Sequence, residues 1–257
     1  MRFGLLGPML VEAPPGGAAV VIGSAKQRAT LCLLALRAGF VCSVGELVEG
    51  LWGDDPPQTA LKALQNYVSS LRRALPASSI TTTPTGYMLA VEPADVDVYH
   101  FERAVSEGRR LAAGGDLVAA AGMLEGGLEL WRGPALIDLV NQPLGRAEAA
   151  KLDELRLGAE EDLFDACLGL GQHRALVPRL EAAVAAQSLR ERRWAQLMLA
   201  LYRDDRQADA LRTFQRLRAH LGEELGIEPS TELVALEEAI ILQQPSLAWQ
   251  ALPEAPG

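Results

Sequence analysis

The chain has 257 residues, 49% of them hydrophobic and only 5% aromatic, with a net charge of −9. The length suggests one large domain or two ordinary ones, and a Leu- and Ala-rich composition favours packed helices over a sheet-rich fold. The acidic total excludes a generic polyanion binder. The charge is uneven, however: residues 1–91 hold seven Lys and Arg against five Asp and Glu, leaving −11 for the remainder. A mildly basic front and an acidic back point to two different partners. Cys32, Cys42 and Cys167 form no CxxC pair, and their odd number argues for reduced thiols in a cytoplasm, with Cys32 a small core residue. The start MRFGLLGPML lacks the apolar core and cleavage site of a signal peptide, and no stretch has the apolar length of a membrane span.

In chain order, Arg2–Leu6, Met9–Glu12 and Ala19–Ile22 read as short strands separated by Gly7-Pro8 and Pro14-Pro15-Gly16-Gly17. A helix follows, opened by a capping box of Ser24 and Gln27, with Leu31, Leu34 and Ala35 inward and Gly39 at its end. A second box, Ser43 with Glu46, opens a helix that buries Leu47, Val48 and Leu51 and stops at Gly53. The third helix is expected over Pro57–Leu75, with Asp55 as N-cap, Pro56 as first helical residue and Gln58 completing a box. Ile80–Thr83 and Tyr87–Val91, joined by Pro84-Thr85-Gly86, read as a hairpin. Three helices followed by a hairpin is the order of a winged helix-turn-helix, in which the third helix enters the major groove.

That third helix is the centre of the functional reading. Leu61, Leu64, Val68, Leu71 and Leu75 form the expected buried stripe. Lys62, Asn66, Ser69 and Arg73 fall on the other face as one row, flanked by Gln65 and Arg72, and none is acidic. Arg pairs with guanine edges, Asn and Gln with adenine, and Ser reaches base or phosphate, so these six are the candidate DNA contacts. The bland alternative is a solvated helix with a basic end; the helix order around it favours the groove reading.

Beyond Glu92 the chain reads as helical over Val98–Ala113, Asp116–Trp131, Leu144–Leu170, His173–Gln187, Arg190–Arg203, Gln207–Leu225 and Ser230–Gln243, with Trp131–Pro143 an irregular connection. Gly171–Leu176 reappears as Asp205–Ala210, and Leu180 maps to Phe214, an offset matching the period of a tetratricopeptide helix pair. Gly115–Ala120 resembles a degenerate earlier start of the same unit. The expected fold is therefore mainly α: a winged helix-turn-helix (α+β) over residues 1–92, an all-α tetratricopeptide-like domain over 93–245, and a loose tail over 246–257 in which Trp249 could dock. No phosphate-binding loop, dinucleotide fingerprint, nucleophile elbow or metal-ligand spacing occurs, so no catalytic residue, metal ligand or cofactor is assigned.

The sequence resembles the Streptomyces antibiotic regulatory protein family, actinobacterial activators that join an OmpR-type winged helix to a bacterial transcriptional activation domain. LLGPMLV at Leu5–Val11, KQRATLCLLAL at Lys26–Leu36, LVEGLWGDDPPQTALKALQNYVSSLRRAL at Leu47–Leu75 and GYML at Gly86–Leu89 carry the likeness in the front half. LELWRGPAL at Leu128–Leu136 and the long block Arg190–Leu233 carry it in the back. The resemblance implies binding to direct repeats in promoters of antibiotic biosynthetic genes, recruitment of RNA polymerase through its sigma factor, and a homodimer or tandem pair on DNA in the cytoplasm, without a membrane. It also implies contacts from Lys62, Gln65, Asn66, Ser69, Arg72 and Arg73, with Arg28 at the edge and Thr82, Thr83 and Tyr87 from the wing. One departure is that no Lys or Arg lies between Pro76 and Glu92, so the wing has only hydroxyls and backbone N–H groups to offer. Two rivals remain. One is a helical scaffold whose winged helix binds protein. The other is a ligand sensor with Trp131, Trp194 and Tyr202 around a pocket, although isolated aromatics on apolar faces more commonly belong to a core.

Overall fold

The computed structural model describes residues 1–13 and 20–249 and is mostly helical. The chain forms two compact units: residues 1–106 with 125–157, and residues 107–124 with the chain from Gly158 onward.

The first unit opens with an antiparallel pair, β1 (Arg2–Gly4) and β2 (Leu10–Glu12), in which Phe3 faces Val11. The third expected strand is absent: residues 20–23 carry no strand, and the Pro14–Gly17 turn and Ala19 lie outside the described residues. Helix α1 (Ala25–Leu36) starts at the Ser24–Gln27 capping box and ends before Gly39, with a continuous buried run from Ala29 to Ala35. Such all-round burial marks the central helix of a small domain. After β3 (Val41–Ser43), α2 (Val44–Trp52) begins at the Ser43–Glu46 box and stops at Gly53, which has φ 67°.

Helix α3 runs over Ala60–Ala74, later than expected, and Thr59 is its N-cap without a side-chain bond. The expected Asp55–Gln58 cap does not form. Pro57 disfavours the α conformation at Pro56, so two successive prolines delay the helix. Strands β4 (Ile80–Thr82) and β5 (Gly86–Leu89) make the expected hairpin, but β3 joins them in the order β3-β5-β4, with Cys42 opposite Tyr87 and Tyr87 opposite Thr82. Gly86 is required there, because a Cβ would sit 1.9 Å from the Cys42 carbonyl oxygen.

The irregular stretch after Trp131 belongs to this unit. Two of its backbone N–H groups are satisfied at long range: Arg132 donates to the Leu6 carbonyl at 2.7 Å and Leu136 to the Leu5 carbonyl at 2.9 Å. Asp97 accepts from the Leu5 and Leu6 N–H groups at 2.7 and 3.1 Å, and Asp138 accepts from the Met9 N–H at 2.8 Å. Half-buried Trp131 packs edge-on against Phe101 at 5.3 Å.

The helices that follow are α4 (Asp97–Ala113), α5 (Leu117–Leu128), α6 (Pro143–Gly169), α7 (His173–Ala186), α8 (Glu191–Arg203), α9 (Gln207–Leu225) and α10 (Thr231–Ile241). In the second unit α7, α8 and α9 pack in succession and α10 closes on α8 and α9. The repeat is visible in the backbone: left-handed residues Gly171 (φ 80°) and Asp205 (φ 60°) each sit two positions before a helix, as Gly115 (φ 84°) does before α5. Leu180 and Phe214, the matched repeat positions, are both buried. Trp194 is core and its indole N–H donates to the Ser188 carbonyl at 2.9 Å. The expected loose tail is held as far as Trp249, whose indole N–H donates to the Gly169 carbonyl at 2.8 Å while its ring meets His173 edge-on at 6.0 Å. Residues 250–257 lie outside the described residues.

The same unit buries charge. Arg193 is 1% exposed and Glu161 3%. Glu161 accepts from Arg190 Nε at 2.6 Å and lies 3.4 Å from Arg193 Nε, while Arg193 also reaches Glu160 at 2.8 Å. Arg192 pairs with Asp162 and Asp165 at 2.7 and 2.6 Å. A buried network of this kind adds little net stability over an apolar core, but losing one member strands the others.

Candidate nucleic-acid interface

Helix α3 is held from one side only. Ala60, Leu64, Val68 and Leu71 are buried, with Leu75 just past the C-terminus, and the face packs on α1 and α2. Leu61 departs from the expected stripe: it is 59% exposed, and Ala60 takes its place. The late start explains this, since the first turn leaves the core before Leu61 can reach it. Tyr67 stacks on Trp52 with ring centroids 6.3 Å apart, and the Lys26 ammonium stands 5.1 Å from the Trp52 centroid while donating to the Leu51 carbonyl. Burial lowers the Lys26 pKa, and this cation serves the packing of α1 on α2.

The opposite face carries the predicted row. Lys62, Gln65, Asn66, Ser69, Arg72 and Arg73 are all exposed. With 3.6 residues per turn, Lys62, Asn66, Ser69 and Arg73 point directly away from the buried stripe, while Gln65 and Arg72 line one flank. Arg73 donates to the Ser70 hydroxyl at 3.1 Å. Among the described residues, Lys62, Arg72 and Arg73 form no ion pair. Helix α3 itself contains no Asp or Glu, so its positive field is not cancelled locally.

The hairpin is joined to this helix through Arg72. Its Nε donates to the Ile80 carbonyl at 3.0 Å and its Nη2 to the Thr82 hydroxyl at 2.6 Å, and the guanidinium stands 5.9 Å from the Tyr87 ring centroid. Thr82 and Tyr87, expected as wing contacts, are therefore the seat of Arg72. Thr83 closes the turn: its hydroxyl donates to the Gly86 carbonyl at 3.2 Å and accepts from the Gly86 N–H at 3.1 Å. Exposed Thr81 and Thr85 complete the wing surface, which has no cation.

Arg28 differs from the expectation. Its Nε donates to Asp138 at 2.6 Å and its Nη1 to the Gly23 carbonyl at 3.1 Å, so it ties the framework of the first unit instead of joining the α3 row. The partner lies 110 residues away, where sequence patterning has no reach. The Arg72 seat and the β3 strand were likewise not legible. An Arg placed some ten residues before a Thr in a following hairpin is a weak signal that could have suggested the first.

Three helices, a three-stranded sheet and an outward third helix define a winged helix-turn-helix unit, here in a chain with a tetratricopeptide-like helical domain. The chain belongs to the Streptomyces antibiotic regulatory protein family of transcriptional regulators. Residues 18–89 match the family model described as transcriptional regulatory protein, C terminal, and residues 96–241 match the bacterial transcriptional activator domain. Regulatory protein DnrI of Streptomyces peucetius is 39% identical over 100% of this chain and 97% of its own length. Regulatory protein AfsR of Streptomyces griseus is 37% identical over 100% of this chain but only 26% of its own length. Mycobacterium tuberculosis EmbR, solved in complex with a low affinity phosphopeptide, superposes with a TM-score of 0.89 at 34% identity, covering 95% of this chain and 65% of that one. Among the described residues no helix is long and apolar enough to cross a membrane.

Proposed function

We propose that this chain is a transcriptional activator that binds duplex promoter DNA by inserting α3 into the major groove. The observation that supports this is the outward face of α3, with three cations free of carboxylate partners in a chain of net charge −9. Asn66 and Arg73 are placed to read base edges, with Lys62, Ser69 and Gln65 beside them, while Arg72 positions the wing and presents its remaining N–H groups to phosphate. The promoters belong to antibiotic biosynthetic genes, as the family relationship suggests, and the helical domain contacts RNA polymerase through its sigma factor in the cytoplasm.

So few cations on one copy give a modest electrostatic term and weak binding to a single site. Two copies on a direct repeat gain affinity through effective concentration. They lie head to tail, about one helical turn (roughly 10–11 base pairs) apart, and meet through a heterologous contact. The test is a gel-shift titration on operators carrying insertions. Adding half a turn abolishes cooperative binding, and adding a full turn restores part of it. Equal affinity for both insertions overturns the tandem arrangement, and binding insensitive to salt overturns the groove reading in favour of a protein partner.

A further inference from the structure

Within the first unit a cavity of about 420 Å³ opens among α1, α2 and the start of α6, a volume in the range of small-molecule sites. Its floor is apolar, made by Leu33, Leu36, Leu47 and Leu144 around Gly50. Gly50 is buried in the middle of α2, where glycine is disfavoured. Its bare backbone is what admits the neighbours: a Cβ there would lie 2.9 Å from Leu33 Cδ1 and 3.5 Å from Leu144 Cδ2. Leu144 is 45% exposed, so the apolar floor reaches solvent.

The lining is acidic. Arg37 is its single cation and is already paired with Glu46. Glu148 lies 3.7 Å from Lys151, which leaves the exposed carboxylates of Glu49 and Asp54 without an ion pair among the described residues. An apolar floor beneath two uncompensated carboxylates selects against anions and favours a hydrophobic molecule with one positive end.

We propose that this cavity binds a ring-bearing amine, its rings on the leucine floor and its ammonium at Glu49 and Asp54. Asp54 lies in the link between α2 and α3, so a ligand that prefers one arrangement of that link shifts how α3 is presented. The site is distinct from Trp131, Trp194 and Tyr202. Of these Trp194 is buried in the second unit, Trp131 is half-buried against Phe101 in the first, and Tyr202 is half-buried on α8.

The experiment titrates tryptamine, tryptophol and indole-3-propionate into the ¹⁵N-labelled full chain without DNA, so its outcome is independent of whether α3 reads a groove. Tryptamine gives saturable amide shifts at Leu47, Gly50, Gly53 and Asp54 and binds about three- to tenfold tighter than tryptophol, as two exposed carboxylates can supply. Indole-3-propionate binds weakest. In the Glu49→Gln/Asp54→Asn double variant, whose changes are at exposed positions, tryptamine falls to the affinity of tryptophol while tryptophol is unchanged. Equal binding of the three probes overturns the proposal, as do shifts confined to another surface, an amine preference that survives the double variant, or no saturable shift with millimolar tryptamine. Saturation of the same amides by a basic apolar peptide but not by tryptamine also overturns it, since the cavity would then be a groove for a protein chain.

Discussion

Helices α3 and α8 carry similar clusters of arginine, and the two clusters do opposite things. At the start of α8, Arg190, Arg192 and Arg193 meet Glu160, Glu161, Asp162 and Asp165 of α6, every guanidinium with a carboxylate. At the end of α3, Arg72 and Arg73 meet a carbonyl, hydroxyls and the Tyr87 ring, but no carboxylate among the described residues. Neutralised arginines hold helices together; unneutralised ones keep the long-range field that a phosphate backbone senses. Counting arginines along the sequence does not separate these roles. Mapping the acids that face them does.

The largest effect is expected where the neutralised cluster is broken. Glu161→Ala strands buried guanidinium charge and should destabilise the second unit by about 3–5 kcal/mol in urea denaturation. An unchanged midpoint would mean that the α6–α8 network is incidental, and the contrast with α3 would collapse.

Next in size is the unneutralised cluster. Asn66→Ala and Arg73→Ala should each weaken binding to the cognate operator by about 1–3 kcal/mol while leaving the melting temperature unchanged. Loss of affinity to operator and random DNA alike would reassign the residue from base to backbone contact. Lys62→Ala should reduce the slope of log affinity against log salt by about 1, whereas Arg212→Ala, which removes an arginine paired with Asp209 at 3.0 Å, should leave that slope alone. Within the same helix Arg72→Ala should cost more affinity than shortening the Pro84–Gly86 turn, because Arg72 seats the wing whereas the turn presents no cation. A turn deletion that keeps the fold but abolishes binding would reverse this order.

The smallest effect concerns an exposed pair that resembles the α8 network only in outline. The Ser43 N–H and hydroxyl and the Arg37 guanidinium hold the Glu46 carboxyl down to about 2. A depressed carboxylate contributes stability that is present above its ordinary pKa and lost as pH falls through the depressed value. Glu46→Gln should therefore remove a modest contribution at neutral pH, the pair being exposed, and flatten the acid limb of first-unit unfolding between about pH 4.5 and 2, so that variant and wild type converge in acid. A ¹³C carboxyl titration that places Glu46 near 4.5 would remove the basis for this.

What could be read from the sequence was local. The Ser24–Gln27 and Ser43–Glu46 boxes and the outward row of α3 all follow from neighbours within a few residues. The Asp55–Gln58 box had the right residue types, but the adjacent prolines overrode it. Leu61 followed the apolar period and yet lies outside, because period alone does not reveal where a helix leaves its core. Strand β3 is three residues long and exists through its pairing with Tyr87 and Met88, more than forty positions on. Asp97 and Asp138 act on the N-terminal segment across about ninety to 130 residues, and no spacing rule announces such a bond.

The seat of Arg72 has a consequence for how such regulators diversify. Thr82 and Tyr87 on the hairpin and Arg72 on α3 form one mechanical joint, and the planar fork of arginine is not reproduced by lysine. Wing and α3 are therefore not interchangeable parts. A hairpin transplanted from a relative would need its own partner at position 72, so inherited changes at positions 72, 82 and 87 are expected to travel as a set. Asn66 and Arg73 touch no part of the wing and, if they read bases as proposed, are left to drift toward new operators one substitution at a time.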